Sequence, residues 1–171
     1  MWRAAWPACR PPDTTEPVTT AEPSEITDSE PTETTEPAGS TEHRVGETVE
    51  FEDGMKMTVL GLRKDAPRSS YAAGGGPGDQ TAVVTVKVTN SGSRPHDLLV
   101  SLNMTYGADG NEAEAVFDSE NGYSRIDTPS KLQPKRSATG RFAFAVPKGR
   151  AKNLIFVGQP GFDYEEQTWV A

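Results

Sequence analysis

The chain has 171 residues and a formal net charge of -8 at pH 7, with 34% hydrophobic and 25% charged residues. That length suits one ordinary domain with additional segments. No stretch approaches the ~18–20 apolar residues of a membrane-spanning helix, and the single cysteine, Cys9, excludes both an intramolecular disulfide and a cysteine-cluster metal site.

The charge is held unevenly. Residues 1–42 contain nine acids against Arg3 and Arg10, whereas residues 43–171 hold sixteen acids and fifteen bases. The acidity therefore belongs to the N-terminal part, and the remainder is near neutral. A near-neutral region without a basic face is poorly suited to nucleic acid, where lysines and arginines must replace condensed counterions.

Met1 to Cys9 carries an early positive charge at Arg3, but its apolar run is too short for a secretory signal. Ala8-Cys9 matches the end of a lipobox, while Trp6 and Pro7 depart from it. Residues 1–9 are read as a remnant of a signal and lipobox region, with Cys9 as the lipidation candidate and the hydrophobic segment expected upstream of Met1. The alternative is a cytosolic start with an incidental cysteine. Residues 10–42 repeat a loose unit, Thr15-Glu16-Pro17, Ala21-Glu22-Pro23, Ser29-Glu30-Pro31 and Thr35-Glu36-Pro37. Proline removes backbone donors and biases its predecessor away from helix, like charges repel, and little apolar surface is available to offset ordering entropy. This segment is expected to be a disordered acidic Thr/Pro/Glu-rich stalk.

From residue 43 to residue 171 the apolar density rises and the period becomes two. Val84, Val86 and Val88 alternate with Thr85, Lys87 and Thr89; Val100, Leu102, Met104 and Tyr106 alternate with Ser101, Asn103 and Thr105; Phe142, Phe144 and Val146 alternate with Arg141, Ala143 and Ala145. Each pattern describes a half-buried antiparallel strand. Met55, Met57 and Val59 start likewise, then the apolar phase shifts to Leu60 and Leu62 beside Gly61, which predicts a bulge. Asp53-Gly54, Asn90-Ser91-Gly92, Asp109-Gly110 and Pro147-Lys148-Gly149 supply turns. The predicted strands are 48–52, 55–63, 80–90, 97–106, 111–117, 139–146, 153–158 and 165–170. Eight strands without a convincing helix predict an all-β, immunoglobulin-like antiparallel β-sandwich over 43–171.

Three runs carry a family likeness: Val45-Gly46-Glu47-Thr48-Val49; Ala82-Val83-Val84-Thr85-Val86-Lys87-Val88-Thr89-Asn90; and Leu132-Gln133-Pro134 through Gly140-Arg141-Phe142-Ala143-Phe144-Ala145-Val146-Pro147. Through them the chain resembles the secreted immunoglobulin-like domain-of-unknown-function family of Gram-positive, actinobacterial lipoproteins. That family is similar in fold to the mycobacterial immunoprotective extracellular antigen. The resemblance implies a secreted β-sandwich and supplies no catalytic residues.

Motifs for chemistry are sparse. His43 and His96 are far apart and fall short of the three or four ligands a zinc site needs, so solvated surface residues are expected. There is no Gly-x-Ser-x-Gly elbow, and the nearness of Ser101 to His96 and Asp97 in sequence is no evidence of a triad. Gly74-Gly75-Gly76-Pro77-Gly78 lacks the Lys-Ser/Thr ending of a phosphate loop and reads as a mobile connector within 65–79. Asp118-Ser119-Glu120-Asn121-Gly122 offers calcium-type oxygens without EF-hand spacing and reads as a solvated turn. No catalytic residue, metal site or cofactor is expected. The long connections 65–79 and 117–138 remain as binding loops, with Arg68, Tyr71, Tyr123 and Arg125 as residue types enriched in hot spots. The tyrosines serve equally well as plugs of the core ends. The composite expectation is a non-enzymatic, cell-surface or secreted interaction module. Its partner is a protein or cell-envelope component, and it meets a membrane only through a lipid at Cys9. A carrier or sensor for a small ligand or ion is the second reading, and an enzyme the third.

Overall fold

The computed structural model describes residues 42–123 and 129–171, and no helix occurs among them. Cys9, Arg125 and the expected stalk up to residue 41 lie outside the described residues, and Glu42, expected to end the stalk, is the first residue of a strand. Twelve strands follow one another: β1 (Glu42–Arg44), β2 (Thr48–Glu50), β3 (Met55–Ala66), β4 (Asp79–Asn90), β5 (His96–Asp97), β6 (Ser101–Tyr106), β7 (Asn111–Glu112), β8 (Glu114–Val116), β9 (Lys131–Leu132), β10 (Arg136–Pro147), β11 (Ile155–Gln159) and β12 (Gln167–Val170). Sheet I has the order β1-β12-β11-β6-β7, sheet II the order β2-β3-β4-β10-β8, and β5 pairs with β9 apart from both. All pairings are antiparallel except β1 with β12. The molecule is an immunoglobulin-like β-sandwich.

The alternating residues form its core as expected. Val84, Val86 and Val88 of β4, Leu102 and Met104 of β6, and Phe142, Phe144 and Val146 of β10 are buried together with Phe156 and Trp169. Each such side chain contributes about 1.5–3 kcal/mol on burial. The predicted bulge is present: Val59 faces Val86 and Gly61 faces Thr85, leaving Leu60 without a partner and half exposed.

Four departures have physical causes. Predicted strand 97–106 is interrupted at Leu98–Val100, where Leu98 N donates to Ser130 O at 2.9 Å and Leu99 N to Pro160 O at 3.1 Å instead of joining a ladder. Predicted strand 111–117 changes sheets: β7 belongs to sheet I and β8 to sheet II, and buried Ala113 spans the gap with its N–H on Met104 O at 2.8 Å. Polar β1 and two-residue β9 carry no period to detect; β1 pairs with β12, where the His43 ring also lies 5.8 Å from that of Trp169, and β9 pairs with β5 while burying Leu132 in the core. Finally, Ala143 and Ala145, predicted to face solvent, are buried in a second cluster with Ala66, Val83, Val116 and Tyr123 on the outer face of sheet II.

Candidate functional site

The second cluster exists because two loops fold over sheet II. Ala73 and Phe117 exchange backbone hydrogen bonds at 2.9 Å, which lays the 67–78 loop along β8. Glycine is required there. A Cβ on Gly74 would stand 2.2 Å from Ala115 O and one on Gly75 2.4 Å from the Ala145 Cβ, and both residues have positive φ. The expected mobile connector is thus a close-packed cover, and its glycines serve backbone approach.

Asp118 fastens this cover. Its buried carboxylate accepts from Ser69 N at 2.7 Å, Ser69 Oγ at 2.8 Å, Asn121 Nδ2 at 2.8 Å and Asn121 N at 3.3 Å. Burial alone raises its pKa, but these four donors outweigh that and hold the carboxyl down to about 2. A carboxylate saturated by N–H and O–H donors has no lone pairs left for a cation. Among the described residues no group of three or more His, Cys, Asp or Glu is placed to hold a metal ion.

The binding-loop residues are dispersed by this arrangement. Tyr71 is 83% exposed, whereas Tyr123 is buried beneath Arg141, whose guanidinium sits 5.8 Å from the tyrosine ring centre. Arg68 is half-buried with its guanidinium over Gly75. Tyr123 is therefore packing for the second cluster, and of the three described candidates only Tyr71 stands free in solvent.

A second constellation lies at the opposite end of the strands. The turn Phe51–Gly54 joins β2 to β3, and Asp53 Oδ1 caps it by accepting from Met55 N at 2.9 Å. The turn after β4 presses against it: Ser91 N donates to Gly54 O at 2.9 Å, and a Cβ on Gly92 would meet Asp53 O at 2.6 Å. Asn90, buried, holds that turn by donating to Arg94 O and Leu132 O while accepting from Gly92 N. Tyr164, in the β11–β12 loop, reaches across. Its hydroxyl donates to Asp53 Oδ2 at 2.5 Å and lies 3.1 Å from His96 Nδ1, and its ring packs edge-on against Phe51 at 5.0 Å.

Proton bookkeeping fixes the roles. The phenol's single hydrogen is committed to Asp53, so His96 Nδ1 carries a hydrogen and donates towards the phenol oxygen and Asp53 Oδ2, 3.3 Å away. Burial and the Asp53 and Asp163 carboxylates push the Tyr164 pKa upward. Asp53 resists burial through the Tyr164 hydroxyl, the Met55 amide and His96, and its pKa falls. A phenol pushed away from ionisation is the reverse of an activated nucleophile. Asp53, His96 and Tyr164 tie the β2–β3 turn, β5 and the β11–β12 loop together. Half-buried His96, expected to be a solvated surface residue, is one of the three.

Beside this tie runs an open groove of about 700 Å³ between the sheets. One wall is β2 and the turn after it, Thr48 to Asp53; the other is Asp163, Tyr164 and Glu165 of the β11–β12 loop with Gln167 of β12 and His43 of β1. Five of the lining residues are carboxylates, and none is lysine or arginine. Glu50 is paired with Lys56 at 2.9 Å and Asp53 is held in the tie, which leaves Glu52, Asp163 and Glu165 with no cation opposite among the described residues. None of this was visible as a motif, because the β2 wall and the β11–β12 loop are more than a hundred residues apart in sequence.

Solved structures share the fold. The yjhA protein of Bacillus subtilis superposes with a TM-score of 0.59 at 17% identity, over 75% of this chain and 98% of that one. The secreted protein MPT63 of Mycobacterium tuberculosis gives 0.54 at 17% identity, over 78% and 99%. A candidate lipoprotein of Bacillus subtilis, ycdA, gives 0.54 at 15% identity over 72% of this chain but only 38% of its own length. No curated protein matches the chain. The family model "Domain of unknown function (DUF4352)" matches residues 43–168. The three sequence runs that suggested a secreted immunoglobulin-like family all fall within that match, and the chain belongs to the DUF4352 family.

Proposed function

We propose that this chain is a non-enzymatic interaction module of the cell surface or its exterior, held out on the acidic N-terminal segment and engaging its partner at the groove between β2 and the β11–β12 loop. The observation that carries this reading is the pairing of an open groove, walled by both sheets, with a neighbouring Asp53–Tyr164–His96 tie whose proton positions favour rigidity over reaction. A rigid sandwich presenting a cleft is a recognition scaffold. The exterior location is supported by the fold likeness to a secreted protein and to a candidate lipoprotein, and by Cys9 ahead of the stalk.

The full chain, immobilised and exposed to cell-envelope extract, tests this. A discrete component should be retained by the wild type and lost from a variant carrying Glu52→Lys, Asp163→Lys and Glu165→Lys. Retention that ignores all three substitutions would place the interaction elsewhere. A rise in Tm with a metal ion or small metabolite, absent from the triple variant, would favour a carrier instead.

A further inference from the structure

We propose that the groove takes up an extended, lysine- or arginine-bearing segment of a partner protein as an added strand on β2; this rests on the groove being the interaction site. Three observations converge. The first is backbone geometry. β2 is an edge of sheet II, hydrogen-bonded only to β3. Phe51 N donates to Met55 O and Val49 faces Met57, so the alternation of an antiparallel ladder turns the N–H and C=O of Thr48 and Glu50 away from β3 and towards the groove. No other described backbone group bonds to them. The second is shape. β2 and the turn after it, Thr48 to Asp53, line the groove continuously, and the three-residue strand itself, about 10 Å at ~3.3 Å per residue, offers a pairing edge for about three residues of an incoming strand. The third is charge. Glu52, Asp163 and Glu165 flank that edge without a counter-cation among the described residues, so a cationic segment gains at each carboxylate.

The same charges dismiss two rival occupants. Residues 1–41 of this chain carry eight acids against two arginines and would be repelled. A second copy pairing β2 to β2 would set Glu50 and Glu52 against their own kind, which is unfavourable across strands. Carboxylates along a short edge also protect it from indiscriminate pairing. Here they make the edge selective, closed to neutral and acidic strands and open to basic ones. Main-chain bonds would give such a complex its affinity and the carboxylates its choice of partner.

Fluorescence anisotropy on the full chain decides the matter with three capped eight-residue peptides: alternating lysine and threonine, alternating glutamate and threonine, and the lysine peptide N-methylated at every second amide. The lysine peptide should bind saturably and the glutamate peptide should not. N-methylation, which keeps the charge and removes ladder donors, should weaken binding at least tenfold. Bound peptide should also slow hydrogen exchange at the amides of Thr48 and Glu50. Equal binding of the methylated peptide would overturn strand addition. Absence of any lysine-peptide binding, while capture from envelope extract still depends on Glu52, Asp163 and Glu165, would overturn this inference and leave the groove reading standing. Loss of both would remove that reading too.

Discussion

The two edges of sheet II are finished in different ways. At β8 the edge is roofed: the 67–78 loop bonds to Phe117, Gly74 and Gly75 let its backbone lie close, and Asp118 clamps it. At β2 the edge is bare, with outward backbone groups and carboxylates around it. Unpaired strand edges invite foreign strands, and folds commonly cover them or charge them. This molecule does one at each side. Covering costs sequence, since it demands glycine at set positions and a buried carboxylate with a full set of donors. Charging costs little and leaves the edge accessible. The difference marks β8 as architecture, and under the proposal made above β2 is the surface left for encounter.

If one core supports both edges, its loss should loosen both. Phe144 is fully buried between the sheets, and Phe144→Ala should cost about 3–5 kcal/mol in urea unfolding. Arg141→Ala on the same strand loses only a solvent-facing guanidinium over Tyr123 and should cost about 1 kcal/mol or less. Hydrogen exchange in Phe144→Ala should accelerate at β2 and β8 alike. Acceleration confined to one of them would show that the edges belong to separate cooperative units.

The roof can be tested by itself. Gly74→Ala must place a Cβ 2.2 Å from Ala115 O at a φ of 94°. Conformational strain of about 1–2 kcal/mol and overpacking of about 1–3 kcal/mol put its cost at roughly 2–5 kcal/mol. Gly78→Ala has a similar φ of 91° but open space, and should show the strain alone, about 1–2 kcal/mol. Equal costs would mean that the loop does not rest on β8.

The clamp has a pH signature. Asp118→Asn keeps the shape but removes the charge that four donors address, and should cost about 1–3 kcal/mol at neutral pH. The folded carboxyl titrates near 2, below its ordinary 3.8, so its contribution is complete above about pH 4. It is lost as pH falls towards 2, because the unfolded carboxyl takes up its proton in that interval while the folded one still resists protonation. The gap between wild type and Asp118→Asn, measured by urea titration at several pH values, should therefore shrink across that interval. A gap that persists at pH 2 would assign the effect to packing.

What was legible in the sequence was whatever a short window encodes. The valine and phenylalanine strands declare themselves by alternation, and the bulge at Leu60 by a phase shift next to Gly61. Ala143 and Ala145 were opaque because alanine is small enough for either side, and the answer depended on a loop seventy residues earlier. The glycine run offered three residues of conformational freedom, but the need for it came from Ala115 and Ala145 lying opposite. His96 looked solitary since its partners, Asp53 and Tyr164, are 43 and 68 residues away. Sites assembled from separate turns leave no spacing to read.

The smallest expected effect on folding belongs to the bare edge, and it sharpens the comparison most. Glu52→Lys and Glu165→Lys change exposed side chains that line the groove without a counter-cation among the described residues. Surface substitutions of this kind stay within about 0.5 kcal/mol. Here the direction should be towards greater stability, since each removes like-charge repulsion among Glu52, Asp163 and Glu165. The gain should be largest at low ionic strength and fade near 0.15 M salt, where screening acts over about 8 Å. Binding of the lysine peptide should fall in the same variants. Stability unchanged or raised while affinity drops is the pattern of groups held against the interest of the fold and in the interest of a ligand. Destabilisation beyond about 1 kcal/mol would exceed what an exposed unpaired charge can contribute. It would make the groove carboxylates part of the architecture, as Asp118 is, and the two edges of sheet II would then differ only in the means by which they are closed.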